Sequence, residues 1–419
     1  MPACDSPSGW VSLDEGDSEG PAHVPELFPG GRPIAGDKPA HLMVHTMPTK
    51  PISKLSRVIV VLSCLQGLLL ACSSPTTNDV DRSASKGKTA LSKEPGFSFD
   101  CDNTVKNPCR KLVVSLGGKP VALEPSGVIW SERYKKAIVV SDNYNDLLKQ
   151  NASHYVISYF DLKGGSPTIY VKPLLTPKQA AEFPLYDLEA VTLQGDRLYA
   201  IGSLSLHGRN PERDLQERDQ FVQMDLRQSE STDVLVGSNL SHVTKRWPDF
   251  REWLIYQSGY PWTEEAIHGR AEGKGINVES LSTTRSGHLG IGFRGPLSPQ
   301  GGSLGLEIRL PLSPDQEPVL VGRYSIGPLD STLISKDSPK TLRSAEITGQ
   351  RGEFYVVEGP KGYEKESLIL ARWNAYTGEV EKATPLPKGF VAEGVSPIGS
   401  GKLLLVDDLD GKIMIATEN

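Results

Sequence analysis

A short apolar strand with one polar residue near its start recurs five times between residue 126 and the end of the 419-residue chain. Each copy continues through a tight turn into a strongly apolar strand and then into further strands with alternating apolar residues. The five copies begin with SGVIW, LEAVTL, VESLST, AEITGQ and AEGVSP. Four-stranded units repeated in this way are typical of a propeller. We therefore predict an all-β fold, a β-propeller of four-stranded blades.

The spacing of the polar residues sets the expected number of blades. They stand at positions 126, 189, 279, 346 and 393, which are 63, 90, 67 and 47 residues apart. This spacing predicts five blades, or six if the 90-residue interval conceals strands. Within that interval, apolar residues at helical spacing predict a short helical insertion near 244–268.

The last copy of the repeat ends one strand short, after KLLLVDD and KIMIATEN. The strand RKLVVSLG, at 110–117, precedes the first copy and has no other assigned place. Because pairing these two segments would remove two exposed sheet edges, we expect the N-terminal strand to close the ring.

Residues 47–71 have the plan of a bacterial lipoprotein signal peptide. A basic start is followed by a mostly apolar run from Val58 to Ala71, which is too short to span a bilayer. The run ends in LLAC, which resembles the lipobox and predicts lipidation of Cys72. The alternative is an ordinary secretory signal or an uncleaved anchor.

This signal fixes the expected organisation and location of the chain. Residues 1–46 do not fit in front of a signal peptide, so we expect translation to begin at Met47. Residues 72–100 are rich in Ser, Thr, Lys and Pro and predict a flexible tether, which leaves 101–419 as the propeller domain. The expected location is the bacterial cell envelope, at the periplasmic face, with the outer membrane favoured and with the membrane itself as one partner.

Two cysteines remain in the expected mature domain, Cys101 and Cys109. In an oxidising compartment they most simply form one disulfide. A metal site is the weaker alternative because CxxC spacing and a nearby His are missing.

The charge balance narrows the class of partner. The chain has 45 basic and 51 acidic residues, a net charge of −6. It therefore has no basic surplus that would attract nucleic acid, and no nucleic-acid partner is expected.

Four copies of the repeat carry a glutamate at the polar position, and the first copy carries Ser126. The glutamates are Glu189, Glu279, Glu346 and Glu393. The first strand of each propeller blade lines the channel, so we expect these carboxylates to converge near the axis. Such a group either holds a hard cation, Ca²⁺ or Mg²⁺, or acts in acid–base catalysis, or accepts hydrogen bonds that join neighbouring blades.

A second set of candidates lies where the apolar strands end, on loops at one face of the ring. Its members are Asp142, Asn143, Ser203, His207, Arg294, Glu358, Asp407 and Asp408. Asp187, two residues before the glutamate of the second copy, is a further candidate. Convergent polar loops are the usual place for such a fold to bind ligands, although turn chemistry explains several of these residues equally well. Arg294 is expected to pair with Glu279 or to hold an anionic substrate.

Three segments resemble a family. DLEAV (187–191), INVESLSTTRSGHLGIGFRGPL (276–297) and AEGV (392–395) are similar to the markers of a bacterial family of predicted β-propellers of unknown function. More distantly they resemble the phytase-like esterases. Ala190, Ser280 and Ile347 stand where that family usually has Gly. The resemblance implies a propeller and supplies no reaction.

The sequence therefore predicts an exported, lipid-anchored propeller that binds a small-molecule or protein ligand at the mouth of its channel. The alternative is a hydrolase of phosphate or other esters in which channel carboxylates hold a divalent cation that activates water.

Overall fold

The computed structural model describes most of the expected propeller domain and no residue before 96. The described residues are 96–142, 144–206, 218–229, 232–247, 249–259, 275–298, 302–311, 316–327, 340–347, 353–360, 368–375 and 377–419.

Strands dominate this part of the chain. They are β1 (Phe97–Phe99), β2 (Arg110–Leu116), β3 (Lys119–Ala122), β4 (Pro125–Ser131), β5 (Lys136–Ser141), β6 (Ile157–Phe160), β7 (Thr168–Tyr170), β8 (Lys172–Pro173), β9 (Leu188–Gln194), β10 (Arg197–Gly202), β11 (Phe221–Gln228), β12 (Leu235–His242), β13 (Asn277–Thr283), β14 (Leu289–Gly295), β15 (Ser303–Arg309), β16 (Val319–Ile326), β17 (Lys340–Ile347), β18 (Glu353–Pro360), β19 (Ile369–Asn374), β20 (Glu379–Pro385), β21 (Ala392–Gly399), β22 (Lys402–Asp407) and β23 (Lys412–Glu418). The helices are α1 (Tyr144–Lys149), α2 (Pro177–Glu182) and α3 (Phe250–Ser258), with one 3₁₀ turn at Ser153–Tyr155.

The strands form four sheets of four strands and one sheet of seven. In chain order, the first sheet is β4-β5-β6-β8, the second β9 to β12, the third β13 to β16 and the fourth β17 to β20. The seven-stranded closing sheet contains β21, β22, β23, β2, β3, β1 and β7. The fold is all-β and propeller-like, as predicted. The predicted number of five or six four-stranded blades is corrected, because four of the described sheets have four strands and the closing sheet has seven.

The innermost strands of the five sheets follow one another around a circle. Strand β4 lies beside β9, β9 beside β13, β13 beside β17, β17 beside β21, and β21 beside β4 again. Apolar side chains fill the spaces between neighbouring sheets in several buried clusters. Each sheet is thus stabilised by burial against its two neighbours, which makes the ring the cooperative unit.

Both ends of the described chain meet in the closing sheet. Arg110 of β2 pairs with Ile413 of β23, so the predicted closure by the N-terminal strand is present. The three residues of β1 also pair with β23, where Phe97 lies opposite Glu418. The folded part therefore includes residues 96–100, which the sequence assigned to the tether.

A disulfide joins the two N-terminal strands that pair with β23. Cys101 and Cys109 are bonded, with their Cα atoms 5.2 Å apart, as the cysteine count predicted. The bond closes a loop between β1 and β2, so that the two strands act as one interrupted strand at the edge of β23.

Helix α3 confirms the helical insertion predicted in the long interval. Phe250 and Leu254 are buried, and Gly259 ends the helix in the left-handed conformation with φ of 68°. Arg251 is also buried and donates from Nε to the carbonyl oxygen of Leu204 at 2.8 Å, which docks the helix beside the end of β10. No helix within the described ranges is long and apolar enough to cross a membrane.

Candidate functional site

Near its start, each innermost strand has a residue that the ladder to its neighbour skips. The pairing passes over one position between Pro125 and Gly127, Leu188 and Ala190, Val278 and Ser280, Leu342 and Ser344, and Ala392 and Gly394. The skipped residues are Ser126, Glu189, Glu279, Arg343 and Glu393. A β-bulge of this kind turns a side chain out of the regular alternation, and bulges are common beside active sites. These five bulge residues are the equivalent positions of the repeat.

A small residue follows every bulge: Gly127, Ala190, Ser280, Ser344 and Gly394. A Cβ on Gly127 would lie 2.9 Å from the carbonyl oxygen of Glu189 in the next sheet, and a Cβ on Gly394 would lie 2.9 Å from the backbone nitrogen of Val128. The innermost strands thus approach one another too closely for larger side chains at this position.

Three of the bulge glutamates converge. Carboxylate oxygens of Glu189, Glu279 and Glu393 lie within 4.8 Å of one another. Asn277 donates from Nδ2 to Oε1 of Glu279 at 2.9 Å, and Arg294 donates from Nη1 to the same oxygen at 3.0 Å. The pairing of Arg294 with Glu279 is one of the two roles that the sequence predicted for this arginine.

The fourth sheet places an arginine, not a glutamate, at the equivalent position. Arg343 is buried, with 1% of its surface exposed, and donates from Nη1 to Oε1 of Glu393 at 2.7 Å. Glu346, the expected fourth marker, lies three residues further along β17, and it does not belong to the carboxylate group found among the described residues. The sequence assignment is therefore corrected by three residues in this copy.

Glu189 differs from the other two carboxylates in its surroundings. Glu279 and Glu393 each accept a hydrogen bond from an arginine, whereas Glu189 has no hydrogen-bond or ion-pair partner in the part of the chain that the structure describes. Burial raises the pKa of the Glu189 carboxyl well above its usual range, and the charges of Glu279 and Asp187 raise it further. The pKa of Glu393 is also raised, by burial and then by Asp408 and Glu279.

The predicted rim residues Asp142, Asp187 and Asp408 lie around this group. The backbone N–H of Asp142 donates to Oγ of Ser126 at 3.1 Å, which fixes the loop after β5 to the bulge of the first sheet. Asp187 lies 3.3 Å from Nη1 of Arg218 and accepts a hydrogen bond from Ser203. Burial raises the pKa of Asp142 to about 8, with Asp408 and Asp187 as the next largest causes.

Asp142 makes the stability of the protein dependent on pH. Its carboxyl titrates near 3.8 in the unfolded chain and near 8 in the folded one, so the folded state binds more protons between these values. Stability is therefore expected to be highest below about pH 4 for this group and to be lost as the pH rises through about 8. Thermal unfolding at pH 5 and pH 8.5 checks this. Asp142→Asn should unfold at a higher temperature than the wild type at pH 8.5; an unchanged or lower temperature would contradict the assignment.

The other predicted residues have different places. Asp407 is fully buried and accepts from the backbone N–H groups of Val391 and Asp410 at 2.7 and 2.9 Å, which makes it the organiser of a turn. Glu358 is buried opposite Leu342, one residue before the Arg343 bulge. Asn143, His207 and Cys72 lie outside the described residues.

Sequence reasoning missed Arg343 and Asn277 as members of the site. The sequence does contain a signal for Arg343. The other four copies read SGV, EAV, ESL and EGV, which is a polar residue, a small residue and an aliphatic residue. RSA at 343–345 follows the same order, with the small residue Ala in the third place. The segment EIT at 346–348 has a large residue where the other copies have a small one. Nothing in the sequence marks Asn277, which lies two residues before Glu279 and donates a hydrogen bond to its carboxylate.

The channel between the innermost strands has little room. The described residues surround a cavity of about 10 Å³, which is about the room that one water needs, and its lining includes Glu189 and Glu346 together with Gly127, Ala190, Ser280, Ser344 and Val395. A ligand larger than water would therefore have to contact the carboxylates from outside this cavity.

The chain matches no known protein family and no curated protein. Among solved structures it is similar to a carbohydrate-active enzyme of family AA12 from Trichoderma reesei, with 10% identity, 79% of this chain and 97% of that chain covered, and a TM-score of 0.37. It is also similar to the glutaminyl cyclase of Myxococcus xanthus, with 11% identity, coverage of 74% and 97%, and a TM-score of 0.33. A third is the β-propeller domain of Cps50 (Swd1) from Myceliophteria thermophila, with 11% identity, coverage of 70% and 84%, and a TM-score of 0.30. Likenesses of this size carry no argument about function.

Proposed function

We propose that the protein is an exported, lipid-anchored β-propeller that binds a positively charged ligand at the bulge end of its ring. The observation that carries this is the carboxylate of Glu189, which lies with Glu279 and Glu393 within 4.8 Å and has no partner among the described side chains. Carboxylates held together at this distance repel one another, and a cation between them relieves that repulsion.

Two forms of cation fit carboxylate oxygens in general. A divalent metal ion such as Ca²⁺ or Mg²⁺ takes oxygen ligands, and an organic ammonium group donates hydrogen bonds to them. With a metal, Glu189, Glu279 and Glu393 would be the ligands, and the ion would supply Lewis-acid chemistry.

Replacing Glu189 by Gln tests the proposed function. The wild type should be stabilised by calcium chloride or by methylammonium chloride, by about 2.7 kcal/mol at 100 times the dissociation constant, or roughly 4 °C in Tm for a domain of this size. Glu189→Gln should melt higher than the wild type without ligand, because one repelling charge is gone, and should lose the stabilisation by ligand. Thermal unfolding measures both.

Glu346→Gln is the matched control, since Glu346 is a buried glutamate of an innermost strand outside the carboxylate group. It should keep the response to ligand. If neither calcium nor methylammonium shifts the wild type, or if Glu189→Gln responds as the wild type does, the proposed function is wrong.

Hydrolysis of phosphate or other esters is the second candidate, favoured by three carboxylates in reach of one ion. Phosphate binding also needs cationic side chains. Arg294 and Arg343 are both present at the site, but each already donates to a glutamate. This candidate predicts metal-dependent release of phosphate or alcohol from a chromogenic ester, abolished by Glu189→Gln.

The proposed tether joins the propeller at residue 96, far from the bulge residues. The carbonyl oxygen of Gly96, at the start of the folded part, accepts from the backbone N–H of Asn419 at 3.0 Å. Glu418 in turn donates to Gly401, in the hairpin turn between β21 and β22. From Glu393 to this turn β21 spans about 20 Å at 3.3 Å per residue. The described chain thus begins at the end of the ring opposite the bulges, so the proposed tether attaches away from the site.

Cys72→Ala tests the anchor itself. The variant is expected to lose membrane association after cell fractionation, or to remain as an unprocessed precursor, because the lipobox cysteine is the acceptor of the lipid. Cys64→Ala, within the same signal peptide, is the control and should fractionate as the wild type. Unchanged membrane association of Cys72→Ala would contradict lipidation.

A further inference from the structure

We propose that the positively charged ligand is a primary ammonium group, held by one N–H hydrogen bond to each of Glu189, Glu279 and Glu393. This inference rests on the proposed function and names the chemical class of its ligand. Three observations carry it: the charge of the inner group, oxygens close enough to share one cation, and the free capacity of its acceptors.

Counted with its three carboxylates ionised, the form that a bound cation favours, the inner group carries one negative unit. We define this group as the three bulge glutamates together with Arg294 and Arg343, and its two arginines offset two of the three carboxylates. One ammonium group therefore neutralises it. A divalent ion would leave a surplus positive charge beside two buried arginines, which is unfavourable where the dielectric constant is low.

The acidic residues around the inner group do not change the preference for an ammonium group over a divalent ion. Asp187 is paired with Arg218, and a pKa of about 8 keeps Asp142 mostly protonated at neutral pH. Asp408 adds negative potential that attracts a cation of either kind. The discrimination thus comes from the arginines that contact the ligand carboxylates directly.

The spacing of the oxygens suits three hydrogen bonds to one nitrogen. Charge-assisted N–H···O bonds are about 2.8 Å long, and tetrahedral geometry then separates neighbouring acceptors by about 4.6 Å. The three carboxylates lie within 4.8 Å of one another. Oxygens bound to Ca²⁺ at about 2.4 Å and at right angles are about 3.4 Å apart, which the same limit also admits. Charge and hydrogen bonding, rather than spacing, therefore favour the ammonium group.

The acceptors have room for these bonds. A carboxylate has about four acceptor sites, and the bonds from Arg294 and Arg343 go to Oε1 of Glu279 and of Glu393. Glu189 has no partner within the described ranges, and Oδ1 of Asn277 is buried there without a hydrogen-bond donor although its Nδ2 is bonded to Glu279. Unfilled acceptors beside a carboxylate group call for a ligand that donates several hydrogen bonds.

The proposal is tested by titrating the full chain with three cations and measuring affinity by calorimetry. Methylammonium has three N–H donors, tetramethylammonium has the same charge and none, and Ca²⁺ represents the divalent metals. We expect methylammonium to bind at least roughly tenfold more tightly than the other two, because each hydrogen bond to a charged group contributes a factor of about ten or more. Glu189→Gln should weaken methylammonium binding roughly 10- to 100-fold, and Glu346→Gln should leave it unchanged.

Two peptides separate the sources of such a group. Triglycine with a free N-terminus and its N-acetylated form differ only in the ammonium group. Binding of the free peptide alone assigns the site to peptide N-termini, whereas binding of methylammonium but of neither peptide assigns it to small amines; both outcomes support the proposal.

The failure of this inference is distinguishable from the failure of the proposed function. If Ca²⁺ binds and methylammonium does not, or if tetramethylammonium binds as tightly as methylammonium, the ammonium inference is overturned while cation binding stands. If none of the cations binds, both are overturned.

Discussion

Arg343→Met is expected to lower the free energy of unfolding by about 3–5 kcal/mol, the cost of leaving one partner of a buried ion pair without the other. Arg343 is 1% exposed, and its bond to Glu393 at 2.7 Å joins the fourth sheet to the closing sheet. Methionine keeps much of the side-chain volume but removes the charge and the donors. Denaturant unfolding of the wild type and the variant gives the difference.

Arg133→Met is the matched control. Arg133 pairs with Asp196, but the two side chains are 67% and 41% exposed. A solvent-exposed pair contributes at most about 1 kcal/mol. Adding Glu393→Gln to Arg343→Met should recover part of the loss, because the unpaired carboxylate is then gone. Equal costs for Arg343→Met and Arg133→Met would show that the buried pair does not hold the two sheets together.

Loss of the disulfide is the second large effect. The bond between Cys101 and Cys109 closes a loop of nine residues, for which the chain-entropy relation gives about 2.6 kcal/mol. Cys101→Ser with Cys109→Ser should therefore lower Tm by roughly 4 °C. The effect is global because β1 and β2, on either side of the loop, both pair with β23 and close the ring.

Thermal unfolding with and without a reducing agent measures this contribution. Reduction should lower the Tm of the wild type to that of the double variant and should leave the double variant unchanged. If reduction leaves the wild type unaffected, the N-terminal strands hold β23 without the help of the bond.

The carboxylates combine two of the roles that the sequence left open. Arg343 and Glu393 join two neighbouring sheets, so Glu393 acts as the staple that one hypothesis required. Glu189 has no such bond in the described part of the chain and is the member that a ligand would satisfy. The repeat position thus serves architecture through Glu393 and, in our proposal, ligand binding through all three glutamates.

Local pattern was sufficient for the strands, the ring closure, the helix in the long interval and the disulfide. Period-2 alternation and turn residues act between near neighbours in the chain, so they are readable in segments such as KAIVVS or RLYAIG. The size of the closing sheet could not be predicted from the sequence, because β1, β3 and β7 each pair over only three or four residues and show little alternation.

The sequence by itself determined that the chain is an all-β ring of repeated sheets with a polar position on each innermost strand. Only the tertiary structure decided that this position is a bulge and that Arg343, not Glu346, occupies it in the fourth sheet. The physical reason is that a bulge shifts the register of one strand against its partner, and the register is set by packing between sheets rather than by residues adjacent in the chain. In the resulting arrangement Arg294 donates to Glu279 and Arg343 donates to Glu393. Glu189 is then the carboxylate without a partner among the described residues.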